Sequence, residues 1–247
     1  MVIYMCGRFT LTISKENLKE YLFKKFAITT FTFEKYTPRY NVSPTQEALS
    51  IISDGKKYRA GFLKWGFIPN FAKDEKVFFI NTRAETIDEK QTFKDAFLHK
   101  RCVILADGYF EWKKSDKKKI PHYILLQENK VFAFAWIYNT KVINNKKIHT
   151  FSIITTQANS LIKDIHDRMP VILDEEKIKL WLDPKIKEPN LLKQLLMPYQ
   201  DKMIYYKVSD KVNNSKIDDD SLIKKKDWKT LSILFYYFIF KFIINIL

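Results

Sequence analysis

Six short apolar runs, rich in Val, Ile, Phe and Tyr, constrain the fold of this chain more than any other feature of its sequence. They cover residues 47–52, 57–65, 101–106, 121–127, 130–137 and 148–156. Asp, Gly, Asn or Lys residues bound each run, which is typical of β-strands that end in turns. The polar segment NTKVINNKK separates the last two runs and predicts a hairpin. We therefore expect a molecule that is built mainly of β-structure.

Helices are predicted only in short segments. Residues 14–26 form an amphipathic pattern, with Ser14 as N-cap and an apolar face of Leu18, Tyr21, Leu22 and Phe26. Further short helices are predicted at 91–99, 159–165, 175–182 and 190–196, the third capped by Asp174. The chain has no internal repeat and no Pro-, Gly- or Ser-rich linker. One α+β domain is therefore predicted over residues 5–222.

The charge of the chain indicates a polyanionic partner. The 247 residues include 43 Lys and Arg and 28 Asp and Glu, which gives a net charge of +15. Nucleic acid is the first expectation and an anionic membrane surface the second. The two cysteines, Cys6 and Cys102, are too few for a disulfide framework, and no secretion signal precedes them. These features predict a cytoplasmic, nucleoid-associated protein, or a nuclear one in a eukaryotic host.

The C-terminal segment 223–247 differs from the rest of the chain and is predicted to lie outside the domain. A basic stretch, 224-KKKDWK, precedes the apolar residues 231–247, which include one lysine. At 17 residues this run is shorter than the roughly 20 that span a bilayer. Packing of the tail on the body, or an irregular end of the open reading frame, is favoured, and a weak membrane anchor is the alternative.

Four segments combine polar residues with aromatic or apolar ones: 5-MCGRFTL, 80-INTRAET, 107-DGYFEW and 165-IHDRMPV. If Cys6 becomes the first residue of the chain, it is a 1,2-aminothiol, whose amine has a pKa near 7.7–8.0. Such an amine forms a Schiff base with an aldehyde, and the thiol then closes a thiazolidine ring. Glu111 is the candidate for proton transfer and His166 for protonating a leaving oxygen.

Nine motifs in order along the chain carry a resemblance to a known family. They are MCGRF (5–9), YNVSPTQ (40–46), LKWGFIP (63–69), NTRAET (81–86), RCVILADGYFEW (101–112), PHYI (121–124), TTQAN (155–159), HDRMPVIL (166–173) and VSDKVNN (208–214). Over residues 5–222 the chain resembles the SRAP family, the SOS response-associated peptidase domain. The resemblance implies an α+β fold with a mostly β, barrel-like core and flanking short helices. It also implies a basic groove for single-stranded DNA.

The resemblance further implies an activity and a set of site residues. Members crosslink abasic sites covalently, as a thiazolidine, through an N-terminal cysteine. The matching catalytic residues here are Cys6, Asn81, Glu111 and His166. Those matching DNA contacts are Arg8, Arg83 and Arg168 for phosphates, and Trp65 and Trp112 for stacking on unpaired bases. We expect a role in the DNA damage response, with peptidase-like (hydrolase) self-processing and strand-cleaving lyase activity.

The sequence and the family resemblance also predict partners and cofactors. Single-stranded DNA containing abasic sites is the expected partner, with no role for a membrane. No Cys/His pair has the spacing of a metal site, and the five glycines form no phosphate-binding loop. We therefore predict neither a metal nor any other cofactor. A protein that reacts covalently once needs no symmetry, so a monomer is expected.

Residues 1–4 precede Met5 and Cys6, and the aminothiol chemistry requires that Cys6 be freed. Translation from Met5 is favoured over cleavage of the first five residues. Two rival functions stay open. A thiol peptidase that uses Cys6, His166 and Glu111 or Asn81 predicts peptide cleavage without DNA. A non-catalytic single-strand-binding module predicts salt-sensitive binding without an adduct.

Overall fold

The structure, a computed structural model, describes residues 6–116, 118–127 and 131–226. The strands are β1 Phe9–Leu11, β2 Arg39–Val42, β3 Glu47–Ser53, β4 Tyr58–Trp65, β5 Asn81–Arg83, β6 Arg101–Ala106, β7 Gly108–Ser115, β8 Lys118–Leu126, β9 Phe132–Ile143, β10 Lys146–Gln157, β11 Arg168–Pro170, β12 Ile172–Leu173 and β13 Met203–Lys207. The α-helices are α1 Lys15–Phe26, α2 Gln91–His99, α3 Glu175–Leu182 and α4 Pro189–Gln194. Single 3₁₀ turns lie at Phe33–Lys35, Ala84–Thr86, Asp210–Asn213 and Asp220–Ile223.

Five strands form a closed ring in the order β10–β4–β3–β6–β9, and β9 pairs again with β10. The neighbours in the ring are antiparallel except for β4 and β10, which run parallel. A closed ring leaves no unpaired edge among its members. The short helices lie outside it, so the predicted α+β fold with a barrel-like β core is confirmed.

A second sheet, ordered β13–β8–β7–β1–β2, packs beside the ring. A cluster of buried aromatic side chains fills the space between the two, with Phe9 and Tyr109 from the second sheet and Trp65, Phe134 and Trp136 from the ring. Another cluster joins the ring to the helices. Phe9 of β1 and Tyr109 of β7 therefore pack the second sheet onto the ring.

Local sequence signals predicted most elements correctly. Helix α1 is capped by Ser14, whose side chain accepts from the backbone N–H of Asn17. Helix α3 covers the predicted residues, with Asp174 as N-cap. The predicted hairpin is present, but its strands extend to a two-residue turn at Asn144 and Asn145. Both residues have positive φ, +50° and +60°, as a type I′ turn requires.

The helix predicted at 159–165 is wrong, because these residues form successive turns. The Asn159 side chain accepts from the N–H of Ile162 and donates to the Tyr199 carbonyl. These bonds fix the segment to residues 40 positions away and compete with a regular helix.

The predictions for the tail fall mostly beyond the described part of the chain, because residues 227–247 are outside it. Among the residues that the structure does describe, no helix combines the length and the apolar character needed to cross a membrane.

Candidate active site

Cys6 lies three residues before the start of β1 and contacts Glu111 of β7. Its backbone N–H donates to Oε1 of Glu111 at 2.8 Å, and the residue is only 1% exposed. The backbone of Cys6 is in the left-handed region, with φ of +45°, which is uncommon for a residue with a side chain. The predicted nucleophile and the predicted acid/base are therefore brought together across 105 positions of sequence.

Glu111 is a buried carboxyl group, 2% exposed. Burial raises the pKa of Glu111 from 4.5 to about 8. Hydrogen bonds from the backbone N–H groups of Cys6 and Trp112 act in the opposite direction, and the charge of Asp167 adds to the increase. Burial and the neighbouring Glu111 charge also raise the pKa of the Cys6 thiol well above its ordinary value. Near neutral pH both groups are therefore mainly protonated.

Asp107 fixes β1 against β7 and so holds Cys6 over Glu111. Its carboxylate accepts from the Thr10 hydroxyl and from both the backbone N–H and the hydroxyl of Thr12. Next to it, β1 and β7 pair antiparallel, with Thr10 opposite Gly108. Sequence reasoning did not assign Asp107 a role, although its place at the start of DGYFEW was a usable signal.

His166 lies in the connection between β10 and β11. Its Nδ1 is 3.1 Å from the backbone nitrogen of Arg168 and 2.9 Å from Oδ1 of Asp167. In the neutral ring, the Arg168 N–H donates to Nδ1 and the proton is on Nε2; in the protonated ring, Nδ1–H faces Asp167. Burial lowers the pKa of His166, Asp167 opposes this effect, and the charges of Lys114 and Lys119 lower the pKa further.

Asn81 begins β5, which pairs in parallel with β10. The residues beside Asn81 and His166, Ile80 and Ile165, belong to the same buried cluster as Cys6 and Tyr109. One core cluster thus connects the backbone segments of all four predicted catalytic residues.

The predicted phosphate-binding arginines occupy three different environments. Arg83 is exposed. Arg8 is half-buried and donates to the Asn41 side chain and to the Val212 carbonyl. Arg168 is 8% exposed and donates twice to the Glu85 carboxylate, at 2.6 and 2.9 Å. Arg83 is therefore the most exposed of the three arginines.

The two tryptophans predicted to stack on bases lie in the interior. Trp65 is 0% exposed, packs against Phe9 and Trp136, and donates its indole N–H to the Ile80 carbonyl. Trp112 is buried as well and donates to the Asn213 side chain. An indole in this environment offers no face to a base. By contrast, the aromatic side chain of Phe71, in the connection from β4 to β5, is 65% exposed.

Cys102, the second cysteine, is buried, as expected. Within the ranges 6–116, 118–127 and 131–226, no group of three or more His, Cys, Asp or Glu side chains is arranged to hold a metal ion.

Comparison with known proteins places these features in context. The family model described as SOS response associated peptidase (SRAP) matches residues 5–215. A Bacillus subtilis protein named abasic site processing protein YoqW is 46% identical over 226 residues, which cover 89% of this chain and 99% of that protein. Abasic site processing protein YedK of Escherichia coli is 31% identical, over 74% of this chain and 81% of its own length.

A solved structure supports the fold. The crystal structure of a protein from Bacteroides thetaiotaomicron superposes with a TM-score of 0.79 at 26% identity, covering 90% of this chain and all of that one.

Proposed function

Because this chain belongs to the SRAP family, we propose that it processes abasic sites in single-stranded DNA by forming a covalent crosslink through Cys6. The contact between the Cys6 nitrogen and the Glu111 carboxyl group, at 2.8 Å, is the observation that carries the proposal. It gives the reacting nitrogen a buried acid/base with a pKa of about 8. The names of the relatives, abasic site processing proteins, supply the substrate class.

The proposed reaction joins an aldehyde and a 1,2-aminothiol. Once Cys6 is the first residue, its amine attacks C1′ of the ring-opened deoxyribose and gives a carbinolamine, which loses water to form a Schiff base. The thiol then adds to the imine carbon, and the nitrogen takes up a proton as the thiazolidine closes. The balance is one aldehyde and one aminothiol converted to one thiazolidine and one water molecule.

Glu111 is suited to move the protons in this sequence. A carboxyl group with a pKa near 8 is protonated in most molecules at neutral pH, so it can donate to the leaving hydroxyl group. Its conjugate base can then accept the thiol proton as sulfur adds to the imine. The raised pKa of the Cys6 thiol favours attack by nitrogen first and sulfur second.

His166 and Asn81 act on the sugar in this proposal. The neutral His166 ring carries its proton on Nε2 when Nδ1 accepts from Arg168, so Nε2–H is available to the ring oxygen as the sugar opens. Asn81 positions the reacting group from the start of β5. The Schiff base is also the intermediate from which β-elimination cleaves the strand, so closure of the thiazolidine competes with lyase activity.

DNA contacts are assigned according to exposure. Arg83 contacts phosphate directly, whereas Arg8 and Arg168 shape the surface through their bonds to Asn41 and Glu85. Exposed Phe71 replaces Trp65 and Trp112 as the residue proposed to stack on an unpaired base.

The rival thiol peptidase is disfavoured by electrostatics. A cysteine peptidase needs a thiolate, which a neighbouring cation stabilises by lowering the thiol pKa. Here burial and a neighbouring carboxyl group raise the pKa of Cys6. No hydrogen bond joins Cys6 to His166 in the part of the chain that is described.

The test is adduct formation with single-stranded DNA that carries one abasic site, read as a denaturation-resistant band on a gel. Both the full chain and the chain started at Met5 are used. An adduct that is absent with Cys6→Ala and with an acetylated N-terminus is the expected result. Salt-sensitive binding with no adduct in the chain started at Met5 would contradict the proposal and favour a non-catalytic binding module.

A further inference from the structure

The end of the β7–β8 hairpin is an exposed, strongly basic surface. Among the described residues of this hairpin end, four lysines are exposed, and so is the acidic residue Asp116; the lysines are Lys113, Lys114, Lys118 and Lys119. We call these four the hairpin lysines. None of them forms an ion pair with another described residue, whereas lysines elsewhere, such as Lys64 and Lys193, have carboxylate partners.

The register of the hairpin increases the repulsion among these charges. Lys114 lies directly opposite Lys119 in the antiparallel pairing of β7 with β8. Like charges directly opposite each other in a sheet are destabilising. An arrangement that costs stability in the free protein is relieved when an anion binds between the two ammonium groups.

The hairpin lysines lie beside the candidate active site. Glu111 and Lys113 are two residues apart on β7, so their side chains share a face and their Cα atoms are about 7 Å apart. By the same alternation, Lys114 and its partner Lys119 lie on the opposite face of the hairpin. The pairing also places His122 opposite Glu111. The positive charges of Lys114 and Lys119 lower the pKa of His166, and that of Lys113 lowers the pKa of His122. The hairpin charge is therefore within electrostatic range of the reacting groups.

We propose that the hairpin lysines bind the phosphodiester backbone of the DNA strand on one side of the abasic site. This inference rests on the proposed function and extends it, because it assigns one flank of the strand to one element of the fold. Lysines act on phosphates as point charges and read no sequence, which suits a protein whose target lacks a base. Phosphate binding between Lys114 and Lys119 also removes their mutual repulsion.

A second hairpin supplies a matched control. Lys56 and Lys57 lie at the turn between β3 and β4 and are exposed, as Lys114 and Lys119 are. The turn itself is held by the Asp54 carboxylate, which accepts from the backbone N–H groups of both lysines and pairs with Arg59. Gly55, in the same turn, lies close to Pro184. Tyr58 packs against the buried cluster that joins the ring to the helices, and not against the cluster that contains Cys6.

The experiment measures equilibrium binding of the full chain to single-stranded DNA that contains a tetrahydrofuran abasic-site analogue, which has no aldehyde to react. The double variant K114Q/K119Q is compared with K56Q/K57Q over a range of salt concentrations. On a single strand, log K falls with log salt with a slope of about −0.7 for each neutralised phosphate, so every lost contact makes the slope less negative by about 0.7. We expect K114Q/K119Q to make the slope less negative by about 1.4, so that between 50 and 200 mM salt its affinity falls about sevenfold less than that of the wild type. K56Q/K57Q should retain the wild-type slope.

Truncated oligonucleotides test the assignment to one flank. The analogue is placed at the 5′ end or at the 3′ end of the strand, so that only one flank is present. The affinity difference between wild type and K114Q/K119Q should persist with one oligonucleotide and disappear with the other. A slope equal to that of the wild type and the control variant, or a difference that persists with both oligonucleotides, would overturn the proposal.

Failure of this inference and failure of the proposed function give different results. Adduct formation by the chain started at Met5, with equal salt slopes for all variants, removes only the hairpin assignment. Absence of the adduct removes the proposed chemistry, while the analogue still reports whether the hairpin binds DNA. Replacing two mutually repelling lysines should not unfold the protein, so weaker binding is not a consequence of an altered fold.

Discussion

The two halves of strand β7 show how one element serves two different electrostatic purposes. Its first half, from Gly108 to Trp112, is buried and carries a single ionisable carboxyl group, Glu111. Its second half, from Lys113 to Ser115, is exposed and begins the basic end of the hairpin. In the buried half, low polarity raises the pKa values of Tyr109 and Glu111. In the exposed half, several positive charges add up, and salt screens them.

The difference predicts how each half responds to substitution. A substitution in the buried half should alter the reaction rate or the stability of the fold, and the size of this effect should not depend on salt. A change in the exposed half alters affinity by increments and depends on salt.

The largest effect is expected from Glu111→Gln. Gln occupies a similar volume and accepts from the Cys6 nitrogen, but it cannot transfer a proton. The rate of adduct formation by the chain started at Met5 should fall by roughly 10²–10⁴-fold, the usual contribution of general acid–base catalysis. Single-turnover kinetics on gels measure this rate. A loss that is reversed by low salt would contradict the proposed role, because it would indicate an effect on binding instead.

The next effect concerns stability and the substitution Gly108→Ala. An added Cβ would lie 2.1 Å from the hydroxyl oxygen of Tyr123, which contacts Thr10 in the buried interior. The ring has no room to move, so the free energy of unfolding should fall by about 3 kcal/mol, as for severe overpacking. Urea titration followed by fluorescence measures it. Gly61→Ala is the control, since its Cβ would meet no atom within 4 Å; an equal loss in both variants would contradict the packing explanation.

A pH dependence of stability should follow from Glu111. Its pKa is about 8 in the fold, against an ordinary value of 4.5 in the unfolded chain, so the folded state holds more protons between these values. The contribution of Glu111 is therefore fully present below pH 4.5 and is lost as the pH rises through 8, by at most about 1.4 kcal/mol per pH unit.

Glu111→Gln removes this contribution, so the stability of the variant relative to the wild type should increase as the pH rises from about 5 to about 8. Urea unfolding at several pH values provides the comparison. A constant difference between the two proteins over that range would mean that Glu111 titrates normally in the fold.

The smallest effect connects the two halves. Replacing Lys114 and Lys119 by Gln removes positive charges that lower the pKa of His166, so this pKa should rise. NMR titration of the imidazole C–H signals measures it, and K56Q/K57Q should leave it unchanged. A pKa of His166 that is the same in all three proteins would show that the exposed half does not reach the active site electrostatically.

Much of the fold could be predicted because its signals are local. Ser14 and Asp174 cap helices through side-chain bonds that span three residues, and alternating or continuous apolar runs mark the strands of the ring. The ring closure itself was not predictable in this way. Periodicity marks β4 and β10 as strands, but no local feature states that they pair in parallel.

Sequence motifs selected the candidate site residues but could not describe their environment. The motifs named Cys6 and Glu111, and the structure brings them into contact. By contrast, the ion pair of Arg168 with Glu85 spans 83 positions, and the burial of Trp65 depends on Phe9 and Trp136 from distant strands. Exposure is a property of the assembled fold, so residue type alone could not separate Phe71 from Trp65.

The parallel pairing that closes the ring also bears on the order of events during synthesis. It joins residues 64–65 to residues 150–151, and the contact between Cys6 and Glu111 joins segments 105 positions apart. Contacts between such distant segments form slowly, because a long loop must close before they stabilise anything. While the chain is still emerging from the ribosome, Glu111 is solvated and has an ordinary carboxyl pKa. Its raised pKa and its contact with the Cys6 nitrogen therefore arise only after the strands of the ring have come together.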